Sequence, residues 1–389
     1  MLEKRTTVDR PLVILSTVHW SFLWQRHQIL AQYFARAGHR VIFVEGLTFS
    51  SDYRNPLFYR RAIKKFWRRL QYISEKKCAA DLPKNLVVYQ ALVAPPDARA
   101  FREVNKQFFV PRILNDMAKM GIRNPLVWSF QPTDTALQIA RELRSSALVY
   151  DCVANFAQMP GAPKNISQME GDWLDAADLV LVDSVYLREK HAKRRPDVLQ
   201  VPPGVDYDLF NQAYSATNSG TEIRRICFFG GMVSHWFDFD LMEGLADAGF
   251  EISLIGYTDS RHHLFSHPNV RYTPVVSQQK LPELLKSTDA LLIPYKVNEF
   301  TRGVFPTKAY ECLATGKPVV ATPLPDLQDR FSGHIYLASD TTEFTKVLRQ
   351  LPRLENRKKV KSRLELARKN TWEIRLRSIY REVEQLLHA

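Results

Sequence analysis

Residues 294–326 hold a cation and a carboxylate at a spacing that could bind an anionic ligand carrying hydroxyl groups. Lys308 and Glu311 stand three positions apart, so a helix would put both on one face. Ala309 and Leu313 would point another way, into a core. An ammonium group suits phosphate, and a carboxylate accepts hydrogen bonds from hydroxyls. The alternative is the solvated surface pair that this spacing usually indicates.

The residues around this pair predict where the helix begins and ends. Pro306 suits the first helical position because the N–H that it lacks would have no partner there, and Gly316 suits a helix end. Val319 and Val320 then resume as a buried strand. The pair should therefore lie at a helix start above the carboxyl ends of parallel strands, where open α/β sheets bind ligands.

Length and charge narrow the architecture and the kind of partner. With 389 residues, the chain exceeds one ordinary hydrophobic core, so we expect two domains. The formal net charge of +13 indicates an anionic partner: a nucleotide, a phosphoinositide-like lipid, an anionic membrane surface or a nucleic acid. Because the basic residues carry no nucleic-acid recognition motif, we expect no nucleic acid among the partners.

The cysteines and the N-terminal residues bear on location. Cys78, Cys152, Cys227 and Cys312 are far apart and form no Cys-x-x-Cys pair, so we expect neither a zinc site nor a disulfide framework. A reducing cytoplasm fits this usage. The charged start leads into a strand, and no apolar run reaches about 18 residues. We therefore expect a chain that neither spans a membrane nor is secreted.

Residues 54–77 combine strong basicity with an apolar helical face. They hold nine Lys or Arg residues against Glu75 as the single acid. At the helical period, Phe58, Ile63 and Phe66 group together while basic residues fall opposite. Such a helix binds anionic membrane surfaces, and the alternative is a helix packed on its own domain with a solvated charged face. We predict a peripheral protein that contacts the inner face of the cell membrane through this segment.

Apolar strands alternate with amphipathic helices along the chain, which predicts parallel α/β sheets. We expect two doubly wound, Rossmann-like domains facing a cleft, an N-terminal one over 1–210 and a C-terminal one over 224–370. A linker over 211–223 would join them, and a final helix over 371–389 would pack back towards the N-terminal domain. The N-terminal domain carries polar residues at its predicted strand ends: Gln131, Asp134, Asp151, Asn155, Asp183 and Ser184.

Two loops could add ligand contacts. Four residues of the loop after the first strand could face a ligand or pack locally: His19, Trp20, Gln25 and Arg26. After a later strand, Gly230 and Gly231 would let backbone N–H groups approach a phosphate. A tight turn without a ligand is the commoner meaning of paired glycines.

Five separate stretches occur in an order that resembles one class of enzymes. They are FLWQRHQILAQYFARAGHRVIFVE, VYDCVANFAQ, ADLVLVDS, VPPGVDYDLF and PYKVNEFTRGVFPTKAYECLATGKPVVAT. In this order they resemble the GT-B glycosyltransferases, and most closely the bacterial enzymes that use nucleotide sugars to build exopolysaccharides and other surface glycans. The resemblance runs from about Leu12 to the C-terminal helix and leaves the transferred sugar open.

The resemblance implies roles for residues of the C-terminal domain. Glu311 matches the carboxylate that takes the ribose hydroxyls of the donor, and Lys308 matches the basic residue that neutralises its diphosphate. Arg302 is a second candidate for the phosphates, and Tyr295 could lie against the base. The remaining predicted donor-site residues are Gly230, Gly231 and Thr307. The UDP- or GDP-linked donor would be a substrate, so we expect no cofactor and no metal.

The resemblance says less about the acceptor and the stereochemical course. Many retaining relatives carry a glutamate eight residues before the ribose-binding position, where this chain has Gly303. Acidic residues often follow the VYDCV stretch, where this chain has Ala154 and Asn155. Asp151 could act as a base if the reaction inverts, or it could be a helix-cap or turn aspartate. In a retaining reaction, His19 or Asp151 would position the acceptor.

Two hypotheses about function follow. The first is a cytoplasmic, membrane-associated glycosyltransferase that moves a sugar from a nucleotide donor to a glycan acceptor, which could be lipid-linked. The second is a catalytically silent GT-B protein that binds a glycan or a partner enzyme, because Gly303, Ala154 and Asn155 replace acidic residues.

Overall fold

The computed structural model describes residues 10–47, 82–95, 98–214 and 222–388. The predicted membrane-binding segment 54–77 lies outside the described residues, as do residues 215–221 of the predicted linker. Among the helices that are described, none combines the length and the apolar character that crossing a bilayer requires.

The described residues divide into two compact units. The first runs to Asp183 and adds Leu187–Val201 and the end of the chain from Ser378. The second comprises Ser184–Tyr186 and Pro202–Arg377. The final helix thus contributes its last residues to the first unit, where the Tyr380 hydroxyl lies 3.0 Å from His39 Nε2.

A seven-stranded sheet forms the first unit, with the order β3-β2-β1-β4-β5-β6-β7 and parallel pairing throughout. Its strands are short and largely buried, as expected where helices cover a parallel sheet. They are β1 Leu12–Leu15, β2 Val41–Glu45, β3 Leu86–Gln90, β4 Leu126–Ser129, β5 Ala147–Cys152, β6 Leu179–Val182 and β7 Leu199–Gln200.

The helices that connect these strands are α1 Arg26–Arg36, α2 Arg99–Val104, α3 Val110–Lys119, α4 Asp134–Glu142, α5 Ile166–Ala176 and α6 Val185–Ala192. A π-helical turn over Asn105–Phe109 joins α2 to α3. The side chain of Asn105 is buried there and bonds to both backbone groups of Ala94, so the irregular turn is held by a specific polar contact.

A six-stranded parallel sheet forms the second unit, with the order β10-β9-β8-β11-β12-β13. Its strands are β8 Arg225–Phe229, β9 Glu251–Ile255, β10 Val270–Thr273, β11 Ala290–Ile293, β12 Val319–Ala321 and β13 Tyr336–Leu337. Its helices are α7 Tyr207–Asn211, α8 Phe239–Asp247, α9 Leu281–Lys286, α10 Glu299–Arg302, α11 Lys308–Ala314, α12 Pro325–Arg330, α13 Thr341–Leu354, α14 Arg357–Arg368 and α15 Trp372–His388.

Both sheets have the strand order of doubly wound α/β folds, which confirms the predicted fold class. In such sheets the order reverses at one place, and the crevice at the carboxyl ends of the two strands there receives the ligand. The reversal lies between β1 and β4 in the first unit and between β8 and β11 in the second. A ligand site in each unit is therefore expected at these strand ends.

Candidate functional site

Two predicted donor-site residues follow the strands at the reversal point of the second unit. Gly230 comes directly after β8, and Tyr295 comes two residues after β11. The two strands are adjacent and parallel, with Ala290 opposite Ile226. The fold thus brings these residues to one edge of the sheet.

Helix α11 supplies the charge of the site through Lys308. Its Nζ donates a hydrogen bond to the Tyr295 hydroxyl at 3.3 Å and lies 5.5 Å from the centroid of the Phe228 ring. The cation therefore rests against the face of one aromatic ring and bonds to another. The sequence predicted Lys308 and Tyr295 for this site, but it gave no signal that Phe228 would face the ammonium group.

Gly230 leaves the space that the Lys308 side chain occupies. Its φ is +123°, a left-handed conformation, and a Cβ built there would lie 2.1 Å from Lys308 Cε. Gly256, after β9, is needed for the same turn, since its Cβ would lie 2.1 Å from the Gly230 carbonyl oxygen. The glycine after the strand thus has a specific role, which is to let a lysine cross the strand end.

The electrostatics of the pair suit an anionic ligand. Burial opposes the charge on Lys308, but Tyr295 and Glu311 favour it, and together they hold the Lys308 pKa above its usual value. Burial raises the pKa of the Glu311 carboxyl, and the nearby Lys308 opposes that shift. Lys308 is therefore a charged ammonium group at neutral pH. Because it is partly buried, salt screens its electric field less than it would screen that of a surface charge.

The loop after the glycine pair is fixed by its own contacts. The Gly231 carbonyl accepts a hydrogen bond from Trp236 Nε1 at 3.3 Å, and the Trp236 ring stacks on Phe300 with centroids 5.8 Å apart. Asn298 donates from Nδ2 to the carbonyl of His235 at 2.9 Å and caps α10. These bonds join the loops that follow β8 and β11, so the edge of the sheet carries a pre-formed surface.

Three of the predicted donor-site residues have other surroundings than expected. Tyr295 is only 6% exposed and its hydroxyl binds Lys308, so the ring supports the cation rather than presenting a face to a base. Arg302 lies on the exposed side of α10 and pairs with Glu299 at 3.0 Å. Thr307 precedes α11 as its N-cap residue, with no capping bond from its side chain. The phosphate role of Arg302 and the donor role of Thr307 stay predictions.

Gly230→Ala is expected to abolish donor turnover, because the new methyl group would force Lys308 out of its place. Gly249→Ala is the matched control: its φ is +93°, but nothing lies within 4 Å of a Cβ there. Both variants should lose about 1 kcal/mol or somewhat more of stability from the left-handed backbone. Kinetics and chemical denaturation separate the effects, and equal activity in the two variants would contradict the assigned role of Gly230.

In the first unit, His19 stands beside a carboxylate that the sequence did not single out. His19 Nδ1 lies 3.4 Å from Glu45 Oε1, and the Trp20 N–H donates to Glu45 Oε2 at 2.6 Å. Glu45 ends β2, so a polar residue at the end of an apolar strand was the available signal. His19 is half exposed and oriented by Glu45, which fits the predicted role of positioning an acceptor.

Asp151 lies in a buried ion pair instead of an open site. Its Oδ2 accepts hydrogen bonds from Arg26 Nε at 2.9 Å and from Trp128 Nε1 at 3.2 Å, and the carboxylate is fully buried. Arg26 also donates to the carbonyl of Val201 at 2.6 Å. Burial raises the pKa of the Asp151 carboxyl while Arg26 opposes the shift. This arrangement favours a structural role for Asp151 over the role of a base. Asp151 lies within β5, so it is neither a helix-cap nor a turn aspartate.

Asp151→Asn should therefore act on stability. It leaves the Arg26 guanidinium buried without its counter-charge, a change that costs about 3–5 kcal/mol in other buried pairs. Chemical denaturation of the variant measures this loss. The result that would restore Asp151 as a catalytic base is unchanged stability together with a fall in transfer activity.

Comparisons with known proteins agree with the fold. Residues 224–353, most of the second unit, match the family described as Glycosyl transferases group 1. TuaH of Bacillus subtilis (strain 168), provisionally named a teichuronic acid biosynthesis glycosyltransferase, is 27% identical over 213 residues. That alignment covers 49% of this chain and 53% of TuaH, so it spans about half the length of each protein.

Solved structures of other proteins share the fold over nearly the whole chain. Sucrose-phosphate synthase from Thermosynechococcus elongatus has a TM-score of 0.65 at 17% identity, covering 97% of this chain and 99% of that one. Anabaena HepE in complex with UDP and glucose has a TM-score of 0.64 at 12% identity, covering 98% and 100%. The predicted resemblance is confirmed: the fold is that of the GT-B glycosyltransferases, and residues 224–353 of the second unit match the glycosyl transferases group 1 family.

Proposed function

We propose that this protein transfers a sugar from a nucleoside-diphosphate donor to a glycan acceptor during the synthesis of a surface polysaccharide. The observation that carries the proposal is the Lys308 ammonium group, which crosses Gly230 to reach Tyr295 at the ligand-binding edge of the second sheet. The group 1 match over 224–353 covers this same edge.

The chemistry of transfer assigns separate tasks to Lys308 and Glu311. When the bond from the sugar to the diphosphate breaks, negative charge grows on the phosphate oxygens, and a fixed cation lowers the barrier by stabilising that charge. Lys308 supplies the cation, supported by the Tyr295 hydroxyl. Glu311, one helical turn further along α11, can accept hydrogen bonds from two ribose hydroxyls. Neither task involves a base on the donor side.

The proposal for the acceptor rests on different support. The name of TuaH connects it with teichuronic acid synthesis, which favours a surface glycan as the product here. His19, half exposed and held by Glu45, is the residue that we assign to acceptor positioning. A lipid-linked acceptor and a peripheral location on the inner face of the membrane would fit the basic segment 54–77.

A screen of nucleotide sugars tests the proposed reaction. Purified protein is incubated with UDP- and GDP-linked sugars, and release of the nucleoside diphosphate is followed with and without glycan acceptors. UDP-glucose is tried first, because HepE was solved with UDP and glucose. We expect one donor to be hydrolysed slowly and turned over faster with an acceptor, and no turnover of any donor would contradict the proposal.

The replacement of acidic residues favours a second candidate function, which is glycan binding without catalysis. Gly303 stands where many retaining relatives have a glutamate, so a catalytically silent GT-B protein that binds a glycan is the second candidate. Such a protein would bind glycans but release no nucleoside diphosphate from any donor. The same screen, combined with glycan-binding measurements, distinguishes the two candidates.

A further inference from the structure

A second group of reactive side chains lies in the interior of the first unit, away from any task assigned so far. Cys152 ends β5, Glu170 lies on α5 and His191 lies on α6. All three side chains are buried, with relative exposures of 0%, 3% and 2%. The outermost two, Cys152 and His191, are 39 residues apart along the chain. The ligand atoms of all three nevertheless lie within 4.8 Å of one another.

The spacing of the three atoms is that of ligands around one metal ion. Cys152 Sγ lies 3.5 Å from His191 Nε2 and 3.6 Å from Glu170 Oε1, and those two atoms lie 3.6 Å from each other. Zinc forms bonds of about 2.3 Å to sulfur and about 2.0–2.2 Å to nitrogen and oxygen, so tetrahedral angles place its ligand atoms roughly 3.3–3.6 Å apart. All three sides of the triangle fall at or near this range.

The surroundings of Glu170 resemble the outer shell of a metal site. Its second oxygen, Oε2, binds Lys190 Nζ at 2.9 Å, and its first oxygen accepts a hydrogen bond from the Tyr150 hydroxyl at 3.1 Å. Partners of this kind orient a ligating carboxylate and tune its affinity. Lys190 bonds to Oε2, and Oε1 is the oxygen that lies near Cys152 Sγ and His191 Nε2.

We propose that Cys152, Glu170 and His191 bind a zinc ion as three protein ligands, with one position left for water. A thiolate, an imidazole and a carboxylate together favour zinc among the common divalent ions. The ion would join the end of β5 to α5 and α6 and so fix the strand end where Lys190 also binds Asn155. The site does not depend on the proposed transferase activity. Sequence spacing could not predict it, because the ligands are scattered along the chain.

Another group of potential ligands, Glu243, His262 and His263, is a useful contrast. His263 is 72% exposed, and His262 Nδ1 accepts a hydrogen bond from the Leu264 N–H. That bond holds His262 in the tautomer whose other nitrogen, Nε2, carries the proton, so Nε2 cannot bind a metal without breaking it. This second group therefore serves as the matched control.

Metal content of the full-length protein tests the proposal. The protein is loaded with Zn²⁺, freed of loose metal by gel filtration and analysed by mass spectrometry. We expect roughly one zinc ion per chain. Cys152→Ser and His191→Gln should each lose this zinc, whereas His263→Gln should retain it. A wild-type protein with only traces of zinc, or unchanged zinc in both buried variants, would overturn the proposal.

Cobalt substitution of the wild-type protein tests the metal site even if the buried variants fail to fold. Co²⁺ in a tetrahedral site with a thiolate ligand gives strong visible absorption and a sulfur-to-cobalt charge-transfer band. We expect both from the wild-type protein, together with a higher Tm in zinc than in a chelator. A cobalt spectrum without the charge-transfer band would exclude Cys152 as a ligand, and the absence of any spectrum of bound cobalt would identify the group as a metal-free hydrogen-bonded cluster. Either result would overturn the proposal.

Discussion

Glu311→Ala is expected to lower kcat/KM for the nucleotide sugar by roughly 100-fold while the fold stays intact. Hydrogen bonds to a charged group contribute about 1.5–3 kcal/mol each, and about 3 kcal/mol of lost stabilisation corresponds to a factor of more than 100. Initial rates of donor hydrolysis and transfer measure the loss. Circular dichroism and thermal unfolding check that α11 remains folded.

Glu365→Gln is the control for this change. Glu365 lies on α14 and is 56% exposed, and its pair with Lys361 at 3.8 Å is a surface contact. Removing its charge should leave donor turnover within about twofold and stability within about 0.5 kcal/mol. Equal kinetics for the wild type and Glu311→Ala would remove the ribose-binding role from Glu311.

Lys308→Met should lower kcat more than it changes KM, with a loss of about 100- to 1000-fold. Methionine keeps an unbranched stem that can cross Gly230 and rest on Phe228, but it carries no charge for the departing diphosphate. Loss of one preorganised group that stabilises developing charge has cost about 2.7–4 kcal/mol in another enzyme. Steady-state kinetics with saturating donor separate the effect on kcat from the effect on KM.

Two further variants sharpen this test. Lys361→Met removes an exposed charge that is 79% accessible and should leave kcat unchanged. Lys308→Arg keeps the charge, but a guanidinium group is larger than an ammonium group, and the Gly230 backbone leaves little room. We expect it to restore less than a tenth of wild-type kcat, and full activity of Lys308→Met would contradict a role in leaving-group stabilisation.

The central strands of both sheets are predictable because burial on both faces produces short, continuous apolar runs. Largely apolar runs of the sequence form β1 over Leu12–Leu15, β6 over Leu179–Val182 and β8 over Arg225–Phe229. Gly316 ends the helix that carries Lys308, with a φ of +73°, as its position predicted. These features depend on neighbours along the chain, so a single sequence contains them.

The contacts that define the sites are not predictable in this way. Lys308 and Gly230 are far apart in sequence, and only the adjacency of β8 and β11 brings them together. The role of Asp151 depends on its ion pair with Arg26, which is 125 residues away along the chain. The sequence predicted only that Arg26 would face a ligand or pack locally. The resemblance predicted which residues would form the donor side, but it could not show what each side chain contacts.

Binding of a nucleoside diphosphate tests whether Lys308 and Glu311 form a donor site. Titration calorimetry with UDP and GDP requires no knowledge of the sugar or the acceptor. We predict that one of the two binds the wild-type protein with a stoichiometry of about one. Its affinity should fall by at least tenfold in Lys308→Met and in Glu311→Ala, and remain unchanged in Glu365→Gln. No binding of either nucleotide to the folded wild-type protein, or equal binding by all four proteins, would contradict the account.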